Sequence, residues 1–159
     1  MEISTADLGF LRQSLETARR SRQHGNHPFG AILVDGGGKV VLEAENTVTT
    51  ECDCTGHAET NLVRLASKKY PVKFLTNCTL YSSAEPCAMC AGAIYWSGIG
   101  RVVYALSEAR LLEKTGDDPT NPTMHLPCRE VLSRGQRQIE VLGPAIEGEA
   151  IKVHEGFWR

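Results

Sequence analysis

His57 and Glu59 stand two residues apart in the stretch TGHAETN (55–61). Cys87 and Cys90 form a C-x-x-C directly after Pro86 in PCAMC (86–90). Thiolates and a neutral imidazole are zinc ligands, and one histidine with two cysteines makes a set of three. Three protein ligands leave the fourth tetrahedral position to water, as in a catalytic rather than a structural site. Water held there is acidified to a pKa near ~7. Residues two apart on a helix do not face each other, so Glu59 is poorly placed as a ligand beside His57. It can approach the water from another side, take its proton and pass it to a substrate nitrogen.

Each half of this pattern has a plainer reading. A lone H-x-E is common, and a lone C-x-x-C serves equally as a redox pair or as half of a structural zinc site. Their joint occurrence, each at an expected helix start, favours one metal centre, and a redox pair leaves HAE without a role. Cys52 and Cys54 in CDCTGH offer a competing, closed arrangement. With His57, Cys87 and Cys90 they make five candidates, one too many for tetrahedral zinc. They are read as loop or packing thiols, either of them a reserve ligand. Cys78 falls in an expected strand, and Cys128 has no assigned role.

The elements around these residues alternate in type. Leu8, Leu11, Leu15 and Ala18 follow a three-to-four spacing that predicts a helix over 5–23, with Thr5 as its cap and Gly25 as its stop. GAILV (30–34) and VVLEA (40–44), joined by DGGGK, predict a hairpin. A helix is expected over 57–69, with Ala58, Leu62 and Leu65 on one face. CTLYSS (78–83) reads as a strand, PCAMCAGAIYWSG (86–98) as a helix that opens on proline and closes on glycine, and RVVYAL (101–106) as a strand. Residues 107–126 form a polar connection. A short helix over 128–134, a strand over 139–143 and a closing helix over 146–157 complete the order. Strands alternating with helices predict a layered α/β domain, with a crossover joining parallel strands between 78 and 106. His57 and Cys87 then sit at two helix starts on the same edge of the sheet. Helix starts expose unpaired N–H groups and the positive dipole end, which favour a thiolate.

The 159 residues suit one domain, with 42% hydrophobic and 23% charged residues. The net charge of −2 is not that of a protein held to nucleic acid by a broad basic face. The start MEISTADLGF lacks a basic, apolar leader, and no apolar run approaches the ~20 residues of a membrane span. A cytoplasmic location is the expectation.

The chain resembles the cytidine deaminase-like superfamily, and within it the guanine deaminase and nucleoside deaminase branch. The resemblance rests on HPFGAILVDG (27–36), ENTVTT (45–50), TGHAET (55–60), YSSAEPCAMCAGAIYWSG (81–98) and RVVYA (101–105), about half the chain. The order H-x-E…P-C-x-x-C is the pattern of the zinc-dependent nucleobase deaminases. The resemblance implies a three-layer α/β/α fold with a mixed five-stranded sheet, and a homodimer with the PCAMC helix near the subunit contact. It implies zinc on His57, Cys87 and Cys90, with Glu59 as proton shuttle. Asn46 matches an asparagine that binds the base, and Phe29 an aromatic residue lining the base pocket. Guanine deaminases of this branch contact the purine through an acidic residue in a GFD stretch. Here TGDDP (115–119) stands without the phenylalanine, Asp118 being the match and Asp117 its neighbour. Related enzymes close the pocket with a C-terminal aromatic segment, a place that Trp158 or Phe157 in HEGFWR would take.

The expected reaction is hydrolytic deamination of a nucleobase or nucleoside, with guanine going to xanthine and ammonia. A tRNA adenosine deaminase is the nearest alternative, but those enzymes continue with FGA…K-x-GA where this chain reads YALSEARLLEK (104–114). Cytosine or another small heterocycle is a further alternative. A non-catalytic zinc-binding interaction domain is the rival from another class, against which Glu59 and the count of three ligands both stand.

Overall fold

The computed structural model describes residues 1–159. In chain order the elements are α1 (Thr5–Gln23), β1 (Gly30–Val34), β2 (Val40–Glu45), α2 (Val48–Glu51), α3 (Ala58–Lys69), α4 (Val72–Leu75), β3 (Thr79–Ala84), α5 (Ala88–Ser97), β4 (Arg101–Leu106), α6 (Glu108–Thr115), α7 (Cys128–Ser133), β5 (Glu140–Leu142) and α8 (Glu147–Ala150). A 3-10 turn over Ile151–His154 follows α8 directly.

The five strands form one mixed sheet in the order β2-β1-β3-β4-β5. β1 runs antiparallel to both β2 and β3, whereas β3, β4 and β5 run parallel. Every residue of β1 is buried, which is why its sequence is a continuous apolar run rather than an alternating one. The β1–β2 turn is closed by Asp35, whose Oδ1 accepts the N–H groups of Gly37 and Lys39 at 2.9 and 3.0 Å.

Successive strand residues point to opposite faces, and the sheet carries a core on each. Leu33, Leu80 and Val102 pack with Leu62 of α3, Ile94 of α5 and Leu132 of α7 on one side. Ile32, Tyr81 and Val103 pack with Leu11, Leu15 and Ala18 of α1, and with Ala150 and Val153, on the other. The result is the expected three-layer α/β/α arrangement. Gly30 marks the tightest contact between α1 and β1: a Cβ there would overlap the backbone of Thr17 and Ala18.

Several local expectations are corrected. Ser4, not Thr5, caps α1, in a reciprocal box with Asp7. Leu65 faces outward, and Ala66 takes its place in the core beside Ala58 and Leu62. The polar connection 107–126 contains α6, opened by Ser107, whose hydroxyl accepts the Arg110 N–H at 3.2 Å. The closing helix is one α turn and one 3-10 turn rather than a continuous element. No helix is long and apolar enough to cross a membrane.

Candidate active site

The carboxyl ends of parallel strands are where open α/β sheets place their ligands. Here β3 ends at Ala84, and the chain runs through Glu85 and Pro86 to Cys87, the N-cap of α5. His57 is the N-cap of α3. The two helix starts are brought together because α3 and α5 pack side by side on one face of the sheet. Asn61 fixes the start of α3 against the end of β2 and the residues that follow, its Nδ2 donating to the Glu45 carbonyl at 2.9 Å and to Thr47 Oγ1 at 3.0 Å.

Ligand atoms of His57, Cys87 and Cys90 all lie within 4.8 Å of one another. His57 Nδ1 stands 3.5 Å from Cys87 Sγ and 3.6 Å from Cys90 Sγ. Zinc–sulfur and zinc–nitrogen bonds of about 2.3 and 2.1 Å at a tetrahedral angle require an N···S separation of about 3.6 Å. Both N···S separations match that requirement, and the three residues are a donor set that fits zinc. Cys52 and Cys54 are exposed and lie outside this group, so the five-ligand closed site is not formed.

The electrostatics suit a cation. The Cys90 thiol, by hydrogen bonding to Cys87, holds the Cys87 sulfur at about 4 against the burial that raises it, with His57 adding to the lowering. Cys90 moves the other way, raised by the same contact and by burial. The hydrogen bond to Cys87 raises His57. The cluster thus holds protons in the space where a metal would take their place.

Glu59 is 5% exposed. Its Oε1 accepts the Ser82 hydroxyl at 2.6 Å, and its Oε2 lies 3.4 Å from Cys90 Sγ. Burial raises its pKa, an effect that the Ser82 hydrogen bond opposes. A carboxyl shifted upward beside a metal site is suited to taking and returning a proton near neutral pH.

A cavity of about 370 Å³ opens over these groups, walled by Phe29, Asn46, His57, Glu59, Cys87 and Glu108 among others. Asn46 is buried, and its Oδ1 accepts the Val48 N–H at 3.0 Å, so its amide nitrogen is the part left for a ligand. The structure brings Phe29 and Asn46 to the cavity with the metal group. It does not bring Asp118 or Trp158 to the wall. Asp118 Oδ1 accepts from Thr120 N and Oγ1 at 2.9 and 2.7 Å, and its Oδ2 from the Arg159 N–H at 2.9 Å. Trp158 lies one layer back, 5.2 Å from the His27 ring and 6.1 Å from the Phe29 ring, with its Nε1 donating to His154 at 3.0 Å.

Sequence reasoning missed several wall residues. Glu108 follows the end of β4, inside the supposed polar connection. Its only signal was Ser107 before an acidic first turn, which announces a helix start. Thr123 carries a buried hydroxyl with no protein partner and also lines the cavity. Glu85, also in the wall, braces it by accepting the N–H groups of Glu108 at 3.1 Å and Cys128 at 3.0 Å.

The fold and site define a zinc-centred α/β deaminase. Residues 4–106 match the family model described as the cytidine and deoxycytidylate deaminase zinc-binding region, and the chain belongs to that family. It is 44% identical over 157 residues to a probable cytosine deaminase of Schizosaccharomyces pombe, covering 99% of this chain and 95% of that one. It is 40% identical over 110 residues to a guanine deaminase of Bacillus subtilis, covering 69% and 70%. Among solved structures, a guanine deaminase from Nitrosomonas europaea superposes with a TM-score of 0.75 at 25% identity, covering 95% of this chain and 82% of that one.

Proposed function

We propose that the 159 residues form one catalytic unit that hydrolytically deaminates a small nucleobase, with guanine as substrate and xanthine and ammonia as products. The observation that carries the reaction class is the Glu59 carboxyl, buried 3.4 Å from Cys90 at the edge of the His57–Cys87–Cys90 group. His57, Cys87 and Cys90 hold the zinc, which when bound supplies a water acidic enough to react near neutral pH. Glu59 accepts that water's proton and delivers it to the bare ring nitrogen beside the amine-bearing carbon. A C–O bond forms between that water oxygen and the carbon, and Glu59, free again, takes the second proton from the new hydroxyl and gives it to the amine, which leaves as ammonia as the C–N bond breaks and the carbonyl forms. Ser82 holds the carboxylate in the orientation that both transfers need. Phe29 offers an aromatic face to the base, and the amide nitrogen of Asn46 a donor to a ring carbonyl.

Similarity to guanine deaminases in both sequence and structure supports guanine. The near full-length similarity to a probable cytosine deaminase favours cytosine as the second reading. The protein acts as a homodimer joined through α5. That helix, AMCAGAIYWS, is apolar on every side, and its Trp96 is 83% exposed in one chain. A helix apolar all round is expected to be covered.

Ammonia release by the zinc-loaded protein from guanine, guanosine, cytosine, cytidine, adenine and a tRNA anticodon stem-loop tests the assignment. Release from guanine, abolished by Glu59→Gln, supports it. Release from cytosine alone moves the substrate to the second reading. A full complement of zinc with no release from any compound overturns the enzymatic reading.

A further inference from the structure

Glu108 is the one acidic side chain of the cavity wall, apart from Glu59 and Glu85, and no described hydrogen bond or ion pair reaches its carboxylate. Its neighbours are otherwise engaged. Both oxygens of Glu85 accept backbone N–H groups. Glu147 Oε2 accepts the N–H and hydroxyl of Ser107 at 3.0 and 2.7 Å. Both oxygens of Asp118 are taken as well.

The backbone that carries Glu108 is held firmly. Its own N–H is bound by Glu85, and Ser107 is fixed by Glu147 while capping α6. A partly desolvated carboxylate with no cation or donor is unfavourable unless a ligand supplies the donor. Carried on a fixed backbone at the cavity wall, with no partner of its own, this carboxylate is free to accept from a ligand.

We infer that Glu108 reads the substrate: its carboxylate accepts the N–H of the ring nitrogen that flanks the amine-bearing carbon on the side away from Glu59. This rests on the deaminase reading of the site. It narrows the substrate class to heterocycles whose reacting carbon carries three nitrogens, one of them an N–H. The 2-amino carbon of guanine is such a carbon, bonded to N1–H, to bare N3 and to the amine. A 2-amino-4-oxopyrimidine is its one-ring counterpart. Glu59 serves the bare nitrogen, and Glu108 the N–H. The amine-bearing carbons of cytosine and adenine are flanked by one bare nitrogen and one carbon, and give Glu108 nothing to accept. A site built to bond an N–H also rejects analogues that lack it, because its own polar group is then left buried and unpaired.

The test uses zinc-loaded protein, wild type beside Glu108→Gln and Glu108→Met, with zinc per chain and thermal midpoint measured on each. Two readouts are taken: KM for guanine and for 2-amino-4-oxopyrimidine, and the Kd of hypoxanthine against 1-methylhypoxanthine, which are not turned over. The expected result is unchanged zinc and a KM raised roughly 10- to 100-fold in Glu108→Met, the range for losing a hydrogen bond to a charged group, with Glu108→Gln between. The wild-type preference for hypoxanthine over its methylated form is expected to vanish in Glu108→Met. Turnover of guanine with KM and ligand preference unaltered in both variants overturns the role of Glu108 and leaves guanine standing. Turnover of the aminopyrimidine but not guanine, lost in the variants, removes guanine and supports Glu108. Turnover of cytosine alone overturns both.

Discussion

Ser82 Oγ donates to Glu59 Oε1 across 2.6 Å, a bond from the middle of β3 to the first turn of α3. Both residues are buried, so the bond fixes the direction of a carboxylate that solvent does not orient. Ser82→Ala is expected to lower kcat by about tenfold, since a net hydrogen bond of this kind contributes about 1 kcal/mol or more. It should leave zinc content unchanged. Because the Ser82 bond opposes the upward shift of Glu59, its loss is also expected to move the acidic limb of the kcat profile to higher pH. Steady-state rates across pH check both outcomes, and an unmoved limb would mean that Ser82 serves packing alone.

Zinc retention separates the ligands from the bystanders. His57→Ala and Cys87→Ser are each expected to leave the protein with less than about a tenth of the wild-type zinc, whereas Cys52→Ser and Cys54→Ser keep all of it, because a tetrahedral site with three protein ligands tolerates no lost donor. Elemental analysis after dialysis against a chelator reads this directly.

Acid stability is tied to His154. Burial lowers its pKa to about 4, and the nearby Arg22 adds to the lowering. Above pH 6.5 the ring is neutral in both folded and unfolded chains and contributes nothing. Between pH 6.5 and 4 the unfolded chain takes a proton that the folded one refuses, so stability falls as pH falls, by up to about 3 kcal/mol across the window. Denaturant unfolding measured from pH 7 to 4 should show this slope. His154→Phe should flatten it, whatever its effect on stability at pH 7.

How much of this was legible depends on how local the signal is. The strands showed because GAILV, CTLYSS and RVVYAL are dense apolar runs between turn residues. The candidate metal group was legible because His57 and Cys87 each cap a helix and Cys90 lies in the first turn after Cys87, each with its own sequence mark. Leu65 was misplaced because the helical stripe is ambiguous by one position, and only packing chose Ala66. Glu108, Thr123 and Glu85 were not legible as wall residues. Glu85 and Glu108 are placed by contacts made over 23 residues or more, Glu85 to Glu108 and to Cys128, and Thr123 reaches the cavity only through the path of its loop. Asp118 drew attention by motif position, yet its carboxylate is taken up by Thr120 and by the C-terminal Arg159, a pairing no local pattern announces.

That pairing has a consequence of its own. The Arg159 and Thr120 donors hold the Asp118 carboxyl at about 2 and tie the chain end to the loop that carries Thr123 to the cavity. Arg22 anchors the same end through the Val153 and Glu155 carbonyls, the former at 3.0 Å and the latter at 2.6 Å. Asp118→Ala is expected to raise KM several-fold with zinc content and kcat nearly unchanged. A loss of kcat alone would instead place Asp118 among the groups that act in the chemical step.

The apolar surface of α5 makes its own prediction. Trp96→Glu is expected to convert a dimer into a monomer in sedimentation at micromolar concentration, because a charge buried without a partner in an apolar contact costs several kcal/mol. A wild-type protein that sediments as a monomer at the same concentration would contradict the α5 dimer.

The most direct test of the central claim compares wild-type and Glu59→Gln proteins, each verified to carry one zinc per chain, in a single turnover of guanine followed by ultraviolet absorbance. Full conversion to xanthine is expected of the wild type, and a rate at least about a thousandfold lower of Glu59→Gln, which keeps the shape of the site and cannot carry the proton. Near-normal turnover by the zinc-loaded Glu59→Gln protein would contradict it.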